Sequence, residues 1–183
     1  MKGIIVYASK TGYTQKYATW LSEALNFDLI TIEAYKSKPL EEIKSYKVIV
    51  FGGSLYAGGV LGLNAFWKIY DHDVSKKVYY YAVGATPIRA ETSDEIYRIN
   101  FEGKAIERDH FYYFRGGFDF ERLGNIDKFL MQMMKLKISL KPEAKRTPDE
   151  KGMLKAYSER IDFSRKHHIE ALVEKINCDL SVM

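Results

Sequence analysis

Six residues near the amino terminus, Ser9-Lys10-Thr11-Gly12-Tyr13-Thr14, are of the types a bound phosphate needs. They follow an apolar run that ends at Ala8 and precede a segment of helical periodicity, so they sit where a strand gives way to a helix. The N–H groups of a helix's first turn have no intrahelical partner and carry the positive end of its dipole. An anion placed there accepts several hydrogen bonds together. Ser9, Thr11 and Thr14 add hydroxyl donors, and Gly12 permits a tight turn and close backbone approach. The loop lacks the Gly-Lys-Ser/Thr ending of a nucleoside-triphosphate loop and the GxGxxG of a dinucleotide fingerprint, so a monophosphate suits it best. The same residue types also serve as ordinary caps and turns, and the loop alone does not decide between the two uses.

Two more small-residue segments end apolar runs in the same way. Gly52-Gly53-Ser54-Leu55-Tyr56-Ala57-Gly58-Gly59 reads as a glycine-rich turn after the third run, and Gly84-Ala85-Thr86-Pro87 closes the fourth. If the first and third strands are neighbours, all three loops converge on one crevice. The first would take the phosphate. The other two, with Tyr56 as the aromatic wall, would leave a flat slot for a planar ring system.

The elements that must position these loops alternate regularly. Strand candidates are Gly3 to Ala8, Asp28 to Ile32, Lys47 to Gly52, Lys77 to Gly84 and His110 to Arg115; four are continuous apolar runs, as expected of strands covered on both faces, and the second suits an edge. Helix candidates are Tyr13 to Leu25, Leu63 to Tyr70, Ser93 to Glu102 and Gly152 to Ile176. Such alternation predicts a doubly wound α/β domain with a parallel sheet, whose ligands sit beyond the carboxyl ends of the strands where the strand order reverses. An insertion at about 117–150 interrupts the alternation. It holds an amphipathic helix within Leu123 to Leu140, bearing Ile126, Phe129, Leu130, Met133 and Met134, and then the basic stretch Lys141-Pro142-Glu143-Ala144-Lys145-Arg146-Thr147-Pro148.

Composition excludes several classes. A chain of 183 residues with 46% hydrophobic and 28% charged residues is expected to form one domain over residues 1–183, without repeats or low-complexity tracts. The single cysteine, Cys178, cannot make an internal disulfide or a thiolate metal cluster. His72, His110, His167 and His168 lie outside the three loops, and neighbours on a helix do not face the same way, so no metal site and no general acid or base is expected. No nucleic-acid motif is present, and no run reaches the ~18 apolar residues of a membrane span. The chain opens Met1-Lys2-Gly3 into a strand pattern, which predicts no signal peptide and a cytoplasmic protein. The formal charge of +4 favours anionic partners or an anionic surface.

On these residues the sequence resembles the flavodoxin family. Ser9 to Thr14 match that family's phosphate loop, and Gly53-Ser54-Leu55-Tyr56-Ala57-Gly58 look like its second flavin loop. The resemblance implies a five-stranded parallel sheet in the order 2-1-3-4-5 with FMN at the switch point, bound by Ser9 to Thr14, Ser54 to Gly58 and Gly84 to Pro87. It also implies that the Ala57–Gly58 peptide can turn its carbonyl toward the flavin N5 on reduction, which Gly58 would tolerate at little cost. The third loop lacks the tyrosine that stacks on the flavin in many electron-transfer members. Trp20 and Trp67 fall in helix patterns and read as core, leaving Tyr56 as the stacking candidate. Electron-carrier flavodoxins are strongly acidic, whereas this chain is basic, and its inserted Met-rich helix is similar to that of the menaquinone-dependent protoporphyrinogen dehydrogenases. Two functions stay open: a flavin-dependent dehydrogenase passing electrons from a bulky anionic substrate, such as a porphyrinogen, to a quinone, or a carrier docking to a redox partner protein. The insertion could border the flavin, meet the inner face of a membrane, cover the sheet, or pack on the mate in a homodimer.

Overall fold

The computed structural model of the chain describes residues 2–56, 58–70, 73, 75–104, 106–147, 150–152, 154, 157 and 160–181. The apolar runs form β1 (Gly3–Ala8), β2 (Asp28–Thr31), β3 (Val48–Tyr56), β4 (Gly59–Val60), β5 (Lys77–Gly84) and β6 (Phe111–Arg115) of one sheet. Five of them run parallel in the order β2-β1-β3-β5-β6, and the short β4 folds back antiparallel on the end of β3. With β4 set aside, this is the order 2-1-3-4-5. The chain leaves β1 for β2 on one side and returns to β3 on the other, so the crevice between the ends of β1 and β3 is the switch point.

Alternation along the strands fills both faces of the sheet. In β1, Ile4 and Val6 face α2 (Ile32–Lys36), α3 (Leu40–Lys44), α4 (Leu63–Ile69) and α5 (Ala90–Phe101), in a cluster with Tyr35, Phe66 and Phe101. Ile5 points the other way, toward α1 (Tyr13–Leu25) and the carboxyl-terminal helix, in a cluster with Tyr17, Leu21 and Leu172. Two covered faces explain why these strands read as continuous apolar runs.

Two sequence expectations need correction, and one of the placements left open for the insertion drops out. First, β3 does not stop at Gly52 but continues to Tyr56, so Gly52 and Gly53 lie within a strand rather than a turn. They are glycines for packing: a Cβ on Gly52 would meet the Tyr81 ring at 1.9 Å, and one on Gly53 would meet the Leu61 carbonyl oxygen at 2.5 Å.

Second, the continuous helix expected from Gly152 to Ile176, part of which lies outside the described residues, is broken. Ile161–Asp162 form a strand, β8, paired antiparallel with β7 (Gly117–Phe118), and the helix proper is α7 (Glu170–Ser181). The Asp162 carboxylate accepts from the Ser164 amide at 2.9 Å, and Phe163 N donates to the Gly116 carbonyl at 2.9 Å. Those bonds hold the backbone out of the helix pattern that periodicity suggested.

Of the placements left open for the insertion, covering the sheet is not the one seen: the inserted helix α6 (Asn125–Ser139) leaves most of its stripe exposed. Ile126 is 77% exposed, Phe129 65% and Met133 53%, while Ile138 is buried. Among the described residues, no helix is long and apolar enough to cross a membrane.

Candidate functional site

The first loop is built by β1 and α1. Ser9 Oγ accepts from the Gly12 amide at 3.1 Å, which curls the chain into a cup. Gly12 takes φ 91, a left-handed conformation that glycine adopts freely, and as the residue before α1 it offers no side-chain cap. The first-turn amides of α1 therefore point into the cup uncapped, as an anion requires. Thr14 is fully buried, its Oγ1 2.8 Å from Ser54 Oγ, so its hydroxyl ties the loop to β3 rather than facing the cup. Arg122, which no sequence signal places here, donates from Nη1 to the Thr11 carbonyl at 3.3 Å.

The second loop is a hairpin. Leu55 pairs with Val60 and Tyr56 with Gly59, and Gly58 in the turn has φ 82. Ala57 lies outside the described residues. Asn100 of α5 brackets the turn: its Oδ1 accepts from Val60 N at 2.9 Å, and its Nδ2 donates to the Gly58 carbonyl at 3.0 Å.

The third loop is tied down from β6. Tyr113 donates its hydroxyl to the Thr86 carbonyl at 2.8 Å, and Arg115 Nε donates to the Ala85 carbonyl at 3.2 Å. Burial pushes the Tyr113 phenol up to about 12, so it stays a donor at any ordinary pH. A Cβ on Gly84 would lie 2.8 Å from Leu55 Cδ1 and 2.9 Å from the Tyr113 hydroxyl, so the glycine keeps the floor between the second and third loops flat.

The three loops meet in one cavity of about 460 Å³, within the ordinary size range of cofactor sites. Of the expected site residues, Lys10, Thr11, Tyr13, Ser54, Leu55, Tyr56, Gly84 and Ala85 line it. Ser9, Gly12, Thr14, Gly58, Thr86 and Pro87 belong to the loops behind that wall. The opposite wall comes from the insertion, in one of the placements its sequence left open: α6 and the segment before it contribute Leu123, Asp127, Leu130, Met131 and Met134. The apolar members of the stripe on α6 that periodicity detected thus split: Leu130 and Met134 turn to the cavity, and Ile126 and Phe129 stay outside.

Asp127 closes the mouth. Its Oδ2 accepts from Lys10 Nζ at 2.6 Å and its Oδ1 from the Tyr56 hydroxyl at 2.7 Å, while Lys10 Nζ lies 3.7 Å from the centre of the Tyr56 ring. The Lys10 ammonium, and then the Tyr56 hydroxyl, hold the Asp127 carboxyl below the usual carboxylate range. The Asp127 carboxylate in turn raises the Tyr56 phenol. The triangle joins the first loop, the second loop and the insertion.

The described histidines stand apart from this cavity. His168 Nδ1 is 2.6 Å from the Tyr17 hydroxyl, and burial lowers its pKa. His110 precedes β6 at the opposite edge of the sheet and could share an ion with Glu107 and Asp109, but its Nδ1 lies 3.1 Å from the Val78 carbonyl and Asp109 is engaged by Lys175 at 3.0 Å. His72 lies outside the described residues.

A doubly wound sheet with a phosphate-sized cup at its switch point defines a nucleotide-binding α/β domain. The family model described as Flavodoxin domain matches residues 4–144, and the chain belongs to that family. FMN is accordingly the cofactor of this domain, and its function is redox chemistry. Similar solved structures include a flavodoxin from the domain Archaea, at 18% identity over 63% of this chain and 83% of that one, TM-score 0.42. Oxidised Flavodoxin 2 from Bacillus cereus matches at 19% identity over 63% of this chain and 84% of that one, TM-score 0.43. Rubredoxin oxygen:oxidoreductase from Desulfovibrio gigas matches at 13% identity over 98% of this chain and 37% of that one, TM-score 0.44. No curated protein matches the chain.

The residues present fit FMN. The cup offers uncapped helix amides, the Thr11 hydroxyl and a nearby guanidinium for a phosphate dianion. The remaining space is mostly apolar and floored by backbone at Gly84, as a ring system requires.

Proposed function

We propose that the FMN phosphate sits in the cup of Ser9 to Thr14 and its ring system between Ser54 to Gly58 and Gly84 to Pro87. On this reading the protein is an FMN-dependent dehydrogenase similar to the menaquinone-dependent protoporphyrinogen dehydrogenases, taking electrons from a bulky anionic substrate and giving them to a quinone. FMN when bound supplies reversible electron transfer, and the chain's own residues supply position, exclusion of water and access. The observation that carries the reading is the second wall of the cavity. Leu130, Met131 and Met134 of α6 face the flavin loops across the cavity, where a large planar reactant could be held between them. Methionine suits such a wall because its flexible thioether adapts to irregular shapes.

The alternative is an electron carrier docking to a redox protein. It is favoured by the chemistry of the cavity lining: the one carboxylate there among the described residues, Asp127, is held ionised by Lys10 and is not poised to shuttle a proton. Purified holoprotein assayed for quinone-dependent oxidation of protoporphyrinogen separates the two. Turnover that needs both substrate and quinone supports the dehydrogenase. FMN release on denaturation without such turnover, alongside electron exchange with a reductase protein, supports the carrier.

A further inference from the structure

We propose that Arg122 is the charged ligand of the FMN phosphate and sets the preference of this site for FMN over riboflavin. The inference rests on the reading that the cup of Ser9 to Thr14 holds the phosphate. Hydrogen bonds from uncapped amides neutralise only part of a phosphate dianion, since a helix terminus carries about half a unit charge. A full positive charge beside the cup completes the match.

Arg122 is placed to supply it. The segment between β7 and α6 carries its side chain across the first loop, where Nη1 donates to the Thr11 carbonyl at 3.3 Å and lies 3.0 Å from where a Cβ on Gly12 would stand. A Cβ at position 12 would press on the guanidinium as well as strain the backbone at φ 91. Asp119, itself buried, faces Arg122 Nε at 3.3 Å and fixes the plane of the fork. That arrangement leaves Nη2 without a hydrogen-bond acceptor among the described residues.

The local charge has the right sign. Asp119 also faces Arg160 Nε at 3.6 Å, so two guanidiniums share one carboxylate. Lys10 and Lys16 are each matched by their own aspartate, Asp127 and Asp162. The excess positive charge beside the cup is therefore arginine, which offers a planar fork suited to phosphate oxygens.

The test is equilibrium titration of the apoprotein with FMN and with riboflavin, followed by flavin fluorescence, for wild type, Arg122→Ala, Arg122→Lys and Thr11→Ala. A charge-assisted hydrogen bond is worth roughly tenfold to a hundredfold in affinity. Arg122→Ala is expected to weaken FMN by about that factor while leaving riboflavin unchanged, with Arg122→Lys intermediate; riboflavin binding doubles as the check that the variant is folded. If FMN affinity holds in Arg122→Ala and drops in Thr11→Ala, the arginine assignment is overturned and the cup stands. Unchanged FMN affinity in both overturns the cup as well. Equal losses for FMN and riboflavin would show that Arg122 shapes the loop through the Thr11 carbonyl rather than meeting the phosphate, and would also overturn the proposal.

Discussion

The Tyr56 hydroxyl donates to Asp127 Oδ1 at 2.7 Å, joining the hairpin of β3 and β4 to the inserted helix across 71 residues of sequence. An exposed contact of this kind holds the wall of the cavity in register without contributing much to global stability. Replacing Asp127 by Ala removes the acceptor and the negative charge that raise the Tyr56 phenol. The expected result is a Tyr56 titration that moves down toward the ordinary tyrosine value of about 10. Ultraviolet titration against a Tyr56→Phe control reads it, and an unmoved phenol in Asp127→Ala would mean that the contact is not made in solution.

Acid should release the same contact. The folded-state pKa of Asp127 is depressed, first by Lys10 and then by Tyr56, so its contribution is complete above the unfolded value of about 3.9 and is lost as pH falls through the lower folded value. Hydrogen exchange of α6 amides is therefore expected to be flat between about pH 5 and 7 once corrected for intrinsic rate, and to rise below about pH 4. Loosening centred near neutrality would point to a histidine instead and contradict this assignment.

The hydroxyl pair Thr14 and Ser54 locks the phosphate loop to β3 at the switch point. Thr14→Val keeps the shape and leaves Ser54 only its contact with the Ala8 carbonyl, which is expected to cost about 0.5–1.5 kcal/mol of unfolding free energy. Chemical denaturation measures it. The sequence reading gave this hydroxyl to the ligand; a variant of wild-type stability with weakened FMN binding would restore that role.

The strands and the existence of the three loops could be read because they depend on local signals: apolar runs for doubly covered strands, and glycine or hydroxylic residues where those runs end; the strand order followed only from the family resemblance. The individual residues that close the site could not. Asp127 looks like any acidic residue in a helix's first turn, and Arg122 like any exposed arginine. Both gain their roles only when a segment more than a hundred residues from the first loop folds back over it. Gly52 and Gly53 misled for a related reason, since a glycine required beneath the ring of Tyr81 is indistinguishable in sequence from one required by a turn. The break near Asp162 was hidden because its turn is made by side-chain bonds inside a stretch of helical periodicity.

Asn100 was equally invisible, yet it holds both sides of the Gly58 turn. Asn100→Ala is expected to speed exchange of the Val60 amide, whose acceptor is the Asn100 side chain, and to free the turn that the FMN reading assigns to the reduced cofactor. Gly58→Val acts on the same turn by strain, because φ 82 is unfavourable for a β-branched residue while the site for a Cβ is open. Both variants are therefore expected to shift the potential of bound FMN with little change in its affinity. A potential that stays put in both would show that the turn does not respond to reduction.

The outer face of α6 supports the last prediction. Ile126 and Phe129 are exposed on the element whose inner side walls the cavity, and Leu140 is exposed just past its end. Lys128 is matched by Glu121 and Lys141 by Glu150, which Arg146 also faces electrostatically, whereas Lys135, Lys137 and Lys145 have no carboxylate partner among the described residues. Apolar side chains flanked by unmatched cations suit the interface of an anionic bilayer, where each basic residue contributes about 1 kcal/mol and exposed apolar groups add to it. A quinone dissolved in that bilayer would then lie close to the mouth of the cavity. Co-sedimentation is expected with vesicles containing acidic lipid, to fade as salt screens the charges, and to drop when Lys135, Lys137 and Lys145 become Glu. Paired substitution of Phe129 and Ile126 by Ser should weaken it without changing its salt dependence, because those residues act by burial. Equal sedimentation with acidic and neutral vesicles would remove the membrane from this account and leave the outer face of α6 to a protein partner.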